Sequence, residues 1–532
     1  MFIQRVIIEN YRGLKKADVT FNTRMNVIVG KNESGKSTLL EAIHLGLTGQ
    51  LNGRPLQIEL HPYLFNVDVV SDYFERRTLG LNSEPPHVLI ELYLADDPLL
   101  AKLKGDNNSQ RIDLPGISLA IELNPALATE FAQYVADPSE IRTVPIEYYC
   151  VRWRGFHDSD ILSSREIPLN TSLIDASTIR NNAAASRYII DIVKESLSSE
   201  EKVDLALTYR LMKHRFLEQP KVRAINDALA AKQGEISDKA ISLSLDTSAR
   251  ATWEAGIMPH LDDIPLPLIG KGEQNTVKIK LALETTARSH ILMIEEAENH
   301  LSYASLNELI GHITANAGDR QIFITTHSSF VLNKLGVDSV LLFQRGHGVR
   351  LNELEDITTR DYFMKLPGHD TLRLILSKRT ILVEGPSDEL IVQRAYQMKH
   401  GKMPLEDGID VISVNSLAFK RFLAIARLLN KETDVVTDND GNVDALKAKY
   451  ADYLGLAGIA IQYDNDESAN TLEPQLLKMN GLAAINAVLN QSFADDTAAL
   501  AWMRKNKAET GLRFFETEAN WKVPGYIERA IR

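Results

Sequence analysis

Gly30-Lys31-Asn32-Glu33-Ser34-Gly35-Lys36-Ser37, followed by Thr38, is the stretch on which the reading of this chain turns. It fits the pattern G-x-x-x-x-G-K-[ST]. An apolar run from Asn26 to Val29 precedes it as a strand, and Ser37 to Leu47 continues it with helical apolar spacing. Glycines at 30 and 35 let backbone N–H groups curl around phosphate oxygens, and the helix start adds a favourable dipole. Lys36 can reach the β and γ oxygens and Ser37 can ligate Mg²⁺, while Asn32 and Thr38 belong to the same loop and first turn. ATP with Mg²⁺ is therefore the expected cofactor pair. From Met1 to about Leu47 the order strand, turn, strand, Gly-rich loop, helix predicts an α/β opening.

Working outward, Ile291-Leu292-Met293-Ile294 is an apolar strand ending in Glu295-Glu296, where a metal and an attacking water would sit behind such a loop. This reads as a Walker B element. Glu295 stands at the metal-facing position usually held by Asp, and Glu296 would polarise the water. The next strand, Gln321 to Thr325, leads into Thr326-His327, placed where ABC ATPases carry a histidine that senses the γ-phosphate. Gly270-Lys271-Gly272-Glu273-Gln274 resembles a divergent ABC signature loop, which in that family contacts nucleotide held by the opposite subunit. Lys271 and Gly272 are its candidate nucleotide contacts, and a dimer or higher assembly is implied.

A second chemical cluster lies further along. Glu384 ends an apolar strand, Gly385 follows, and Asp388 and Glu389 open the next helix. Val435-Val436-Thr437 then runs into Asp438-Asn439-Asp440-Gly441. Both groups of acids would lie at carboxyl ends of neighbouring parallel strands, the edge where open α/β sheets build sites. Several hard oxygen donors there favour Mg²⁺ or Mn²⁺. A calcium EF-hand is excluded, because its glycine comes sixth in the loop and Gly441 comes fourth. The combination Glu384-Gly385 with Asp438-x-Asp440 is the Toprim pattern found in topoisomerases, primases and some nucleases.

An ABC ATPase followed directly by Toprim resembles the OLD (overcoming lysogenization defect) nucleases of bacterial antiphage defence. The resemblance implies an α/β chain divided into an ABC-type ATPase N-terminal part at 1–174, a helical insertion at 175–240, an ATPase C-terminal part at 241–375 and a Toprim nuclease domain at 376–532. It implies Glu384, Asp388, Asp438 and Asp440 as metal ligands, and Lys507 as a late lysine stabilising charge at the scissile phosphate, with Lys505 as the alternative. Glu389, Asp464, Asp466 and Glu473 are weaker metal candidates, solvated surface acids being the alternative for most of them. DNA is the implied substrate, cut by two-metal hydrolysis. Some members of the family work beside a helicase and others beside a reverse transcriptase. The competing reading is an ATP-dependent DNA-binding clamp or sensor of repair type whose Toprim domain does not cut.

Composition narrows the field. At 532 residues two or three domains are expected. A net charge of −12 argues against a protein coating nucleic acid through bulk charge, so local patches such as Lys420, Arg421 and Arg427 would have to meet phosphates, a solvated basic face being the alternative. No apolar run approaches the roughly 20 residues of a membrane span, and the N-terminus lacks signal-peptide character, so a cytoplasmic chain without a membrane partner is expected. The single cysteine, Cys150, sits in an apolar aromatic stretch and is expected as a buried thiol. Ala183 to Leu197, Ser199 to Glu218 and Val222 to Lys232 read as helices of the insertion, either a solvated bundle or a dimerisation arm.

Overall fold

The first elements run β1 (Ile3–Tyr11), β2 (Leu14–Thr20), β3 (Met25–Val29) and α1 (Lys36–Thr48), in the order read from the sequence. The computed structural model describes the chain except residues 82, 137–140, 142, 176–188, 191–192, 195–196, 234–237, 247, 249–251, 286–289, 329–330, 332–334, 336–338, 345, 351–368 and 415–418. In β2 the inward residues Leu14, Ala17 and Val19 alternate with exposed polar ones, whereas Asn26 to Val29 of β3 is buried on both faces. Alternation marks a strand with one wet face, and continuous burial one with helices above and below.

Further along come β4 (Val88–Leu94), β5 (Leu114–Leu123), β6 (Tyr149–Gly155) and β7 (Thr171–Asp175). After α2 (Ser199–Leu217) and α3 (Pro220–Ala230) the chain returns through α4 (Lys271–Thr285), β8 (Ile291–Glu295), α5 (Tyr303–Ala315), β9 (Gln321–Thr326), β10 (Val340–Gln344) and β11 (His347–Arg350). One sheet collects the strands in the order β7-β8-β9-β3-β10-β11-β2-β1-β4-β5, with β6 paired to β5. From β7 to β10 the neighbours are parallel, while β2, β1, β4, β5 and β6 are antiparallel. Helix α1 packs against both halves. This is the mixed α/β sheet of an ABC-type ATPase head.

Of the helical stretch, most of 183–197 lies outside the described residues. α2 opens on a reciprocal cap between Ser198 and Glu201, and Pro220 is the first residue of α3, where its missing N–H costs nothing. The expected buried thiol is corrected: Cys150 is half-buried, because strand alternation turns Tyr149 into the core and its neighbour outward.

The second sheet follows α6 (His369–Leu376) and alternates strictly: β12 (Arg379–Val383), α7 (Pro386–His400), β13 (Ile409–Ser413), α8 (Phe419–Leu428), β14 (Glu432–Val436), α9 (Val443–Lys449) and β15 (Ile459–Gln462). Its order is β13-β12-β14-β15, all parallel. Four helices close the chain: α10 (Leu472–Leu489), α11 (Asp496–Lys505), α12 (Lys507–Glu516) and α13 (Gly525–Ala530). A buried ion pair ties this end to the sheet: Arg379 meets Asp434 at 2.5 Å and also donates to the carbonyl of Ala530. One apolar cluster runs from Val27, Val29 and Ile294 of the first sheet through Leu374 of α6 to Leu382 and Val435 of the second sheet. No helix among the described residues is long and apolar enough to cross a membrane.

Candidate active sites

At the loop between β3 and α1, two glycines are required by space and backbone. A Cβ on Gly30 would lie 2.1 Å from the Phe343 carbonyl oxygen, and Gly35 adopts φ 95° with the Leu14 side chain against it. The loop therefore closes tightly around Lys36, which is buried and donates from Nζ to the carbonyls of Gly30 at 3.0 Å and Lys31 at 2.9 Å. Burial lowers the pKa of this amine, while Glu296, Glu295 and Glu298 pull it back up. Ser37 and Asn32 are exposed at the mouth and Thr38 is half-buried. The Ser34 hydroxyl is buried without a hydrogen-bond partner. An orphaned donor, a lysine held by carbonyls and a helix start together fit a nucleotide phosphate.

Parallel register brings the other motifs to the same edge. Glu295 pairs with Thr325 across β8 and β9, and Thr326 with Val29 across β9 and β3, so the three strand ends are level. Glu296 sits in the left-handed region at φ 46°, with its N–H donating to both the carbonyl and the hydroxyl of Thr325 at 3.0 Å. Its Oε2 accepts from Asn299 Nδ2 at 2.6 Å, and its Oε1 is 3.6 Å from His327 Nε2. Burial lowers the His327 pKa, helped by Lys36 and opposed by Glu296 and Glu298, so the imidazole is neutral at pH 7. Gly270 and Lys271 open α4, and Gly272 backs onto His300, whose carbonyl oxygen would stand 2.3 Å from a Cβ there. Asn275 Nδ2 donates to the Asn299 carbonyl at 3.2 Å, so this helix start is fastened to the turn that follows Glu296.

In the second sheet β12 and β14 are neighbours, and the acids they carry meet at their carboxyl ends. Glu384 Oε1 accepts from Thr437 Oγ1 at 2.7 Å and from the N–H of Asp438 at 3.0 Å. Asp388 Oδ2 accepts from the Gly385 N–H at 3.1 Å at the start of α7. Burial, then Glu384, Asp388, Glu473 and Asp440, push the Asp438 carboxyl up to about 9. Burial, Glu384 and Glu473 push Asp388 up to about 7. The phenol of Tyr526 on α13, buried beside the same acids, is raised well above its ordinary value. Asp440 and Gly441 form the turn with φ 50° and 77°, while buried Asn439 reaches the carbonyls of Asp464 and Asp466, both at 2.9 Å.

Glu473, placed by sequence among weak candidates, is 3% exposed and belongs to this cluster. Its signal was an acid amid Leu472, Pro474, Leu476 and Leu477, a run too apolar for a solvated helix face. Both lysines are exposed, but Lys507 Nζ stands 3.6 Å from Glu473 Oε1, while Lys505 ends α11. The other weak candidates are held by the scaffold. Asp466 pairs with Lys478 and Ser468, which hold its carboxyl below the usual range; Asp464 accepts from the Asp466 N–H; Glu389 pairs with Arg373 at 3.3 Å. On α8, Lys420 and Arg427 are exposed and Arg421 is half-buried.

Among the described residues no three acidic, histidine or cysteine side chains already close around a single metal point. The donor set nevertheless fits a hard divalent cation: oxygen-only, negatively charged, and crowded enough that two of its members hold protons far above their normal range. A cation would relieve that repulsion and draw the carboxylates inward.

Two sheets built in this way, one with a P-loop, paired glutamates and a histidine and the other with acids at a parallel strand edge, define an ABC-type ATPase head joined to a Toprim domain. Comparison with known families agrees: residues 5–111 match the AAA domain family and residues 375–440 match the "Overcoming lysogenization defect protein-like, TOPRIM domain" family. The chain thus carries an ATPase domain followed by an OLD-like Toprim domain, the domain equipment of an ATP-dependent enzyme of nucleic acids. Curated relatives include the DNA replication and repair protein RecF of Lactobacillus acidophilus, 47% identical over 49 residues that make up 9% of this chain and 13% of that protein. RecF of Streptococcus pneumoniae is 22% identical over 363 residues, 62% of this chain and 93% of the relative. Among solved structures, an Smc head bound to the C-winged helix domain of ScpA is 15% identical and covers 66% of this chain and 99% of its own, with a TM-score of 0.35.

Proposed function

We propose that this protein is an ATP-hydrolysing, divalent-metal-dependent DNA endonuclease of antiphage defence. The observation that carries the reading is the mutual crowding of Glu384, Asp388, Asp438, Asp440 and Glu473 at one strand edge, with Lys507 beside them. Such crowding costs stability unless the site works with a cation. Bound there, Mg²⁺ or Mn²⁺ would supply an activated water and stabilise the leaving oxygen. Glu384, Asp388, Asp438 and Asp440 would hold the metals, Glu384 being oriented by Thr437 and the Asp438 N–H. Lys507 would sit against the phosphate. On the ATPase side, Lys36, Ser37, Thr38, Gly30, Gly35 and Asn32 would hold the nucleotide, Glu295 its metal and Glu296 the water, with His327 at the γ-phosphate.

A dimer or larger homo-oligomer is part of the proposal. Lys271 and Gly272 would serve nucleotide on a second copy, and α2 leaves Val203, Leu207, Leu211, Met212 and Phe216 exposed, an apolar surface of the kind that associates. DNA is the substrate partner, and a helicase or a reverse transcriptase the candidate protein partner. The test incubates purified protein with supercoiled, linear and single-stranded DNA, with Mg²⁺ or Mn²⁺, with and without ATP. Wild type should cut only with divalent metal, and Asp438→Ala/Asp440→Ala should cut slower by orders of magnitude while still hydrolysing ATP. Undiminished cutting by the double variant rejects the assignment, and metal-independent DNA binding without cutting by wild type points to a clamp.

A further inference from the structure

Glu298 belongs to none of the motifs read from the sequence; it lies in the turn after β8, two positions beyond Glu296. Its Oε1 accepts two hydrogen bonds from the end of β9, from Thr326 Oγ1 at 2.8 Å and from the His327 N–H at 2.5 Å. The Thr326 hydroxyl in turn accepts from the Ser328 N–H at 2.9 Å, so one carboxylate oxygen fixes three consecutive residues. The turn that presents Glu298 is itself closed, with Asn299 N–H donating to the Glu296 carbonyl at 3.0 Å and Leu301 N–H to the Glu298 carbonyl at 3.1 Å.

A carboxylate is an expensive choice for this post. It adds a negative charge to a site that already has Glu295 and Glu296, and its Oε2 is buried without a hydrogen-bond partner. An unpaired buried polar atom is destabilising, the more so when charged. A residue that only capped the turn could be a neutral Asn or Ser, which would avoid both costs. What the charge adds is strength, since hydrogen bonds to an ionised acceptor are roughly twice as strong as neutral ones.

We propose that Glu298 is a positioning residue for ATP hydrolysis: by clamping the Thr326 hydroxyl and the His327 N–H it holds the imidazole against Glu296, whose Oε1 lies 3.6 Å from His327 Nε2. It acts through His327 and touches neither the nucleotide nor the water. The inference rests on the reading of Glu296 and His327 as the hydrolytic pair. An interaction that matters only as charge develops in the transition state lowers kcat and leaves ground-state binding alone.

The experiment measures steady-state ATP hydrolysis and binding of a fluorescent ATP analogue by the full chain in wild-type, Glu298→Ala, Glu298→Gln and Glu296→Gln forms. Glu298→Ala is expected to lose about tenfold or more in kcat, the scale of a charged hydrogen bond, with KM and analogue affinity unchanged. Glu298→Gln keeps the shape and one acceptor oxygen and should recover part of the loss. Wild-type kcat in Glu298→Ala overturns the proposal, as does a matching fall in analogue affinity, which would make the residue a support for the fold of the site. Should the alanine variant not fold, Glu298→Gln decides: reduced kcat at unchanged affinity supports the role and wild-type kcat overturns it. Glu296→Gln separates the two levels. If it hydrolyses at the wild-type rate, the hydrolytic pair itself is misassigned; if it is slow while both Glu298 variants are normal, only the present inference fails.

Discussion

Replacing Asp438 by Asn should stabilise the metal-free protein while disabling it. The carboxyl is raised from 3.8 to about 9, by burial first and then by Glu384, Asp388, Glu473 and Asp440. A folded-state value above the unfolded one means the native state holds a proton that the unfolded chain releases. The associated stability is fully present below pH 4 and is lost as pH rises toward 9. The span from 3.8 to pH 8, at about 1.4 kcal/mol per unit, gives a ceiling of roughly 6 kcal/mol of lost stability. Asp388, itself raised to about 7, shares the proton load, and solvent reaches the half-buried carboxyl, which together leave about 1–2 kcal/mol. At about 2–4 °C per kcal/mol for a unit of 150–250 residues, Asp438→Asn should melt roughly 2–8 °C above wild type in chelator at pH 8. The gap should close toward pH 4. Adding Mg²⁺ should raise the wild-type melting temperature and leave the variant nearly unmoved, and plasmid cutting by the variant should fall by orders of magnitude. A variant that melts at or below wild type in chelator at pH 8 would refute the crowding argument.

The remaining expectations are simpler. Lys36→Ala should abolish ATP turnover, because it removes the charge at the phosphates, and Glu296→Gln should bind ATP normally but hydrolyse it slowly; isothermal titration and a phosphate-release assay separate the two. Lys507→Ala should depress DNA cutting with ATP hydrolysis intact, whereas Lys505→Ala, at an exposed helix end, should cut at close to the wild-type rate. Arg379→Ala leaves Asp434 in the core without its ion pair, with, among the described residues, only the Gln462 amide donating to it, and should cost about 3–5 kcal/mol in a denaturant melt, a loss that wild-type stability would contradict. Light scattering with ATP present should give at least a dimer mass, and a strict monomer with normal hydrolysis removes the role of Lys271 and Gly272.

How far the chain could be read in advance follows from where its constraints lie. The P-loop and the paired glutamates were legible because each is set by a few adjacent residues: Gly30 and Gly35 have no room or freedom for another side chain, and Glu295 and Glu296 end a strand whose four preceding residues are wholly buried. The strands β12 to β15 were legible for the same reason, being short apolar runs separated by helical spacing. Cys150 was misjudged because local hydrophobicity does not say which face of an edge strand a residue takes.

The residues that support the chemistry were harder to find, and the reason is geometric. Glu473 reaches the cluster only because α10 packs its first turn into the core beside β14, and an acid at a helix start is ordinarily a favourable, solvated partner of the helix dipole. Glu298 reaches His327 only because β8 and β9 are parallel neighbours in a register that sets Glu295 against Thr325. In both cases the signal is a pairing between distant segments, invisible until the sheet order is known. A residue that binds phosphate must obey the spacing of its own loop, and a residue that steadies it need only be delivered by the fold. That difference explains why the residues proposed to face the ligands could be named from motifs while the groups behind them required the arrangement of strands.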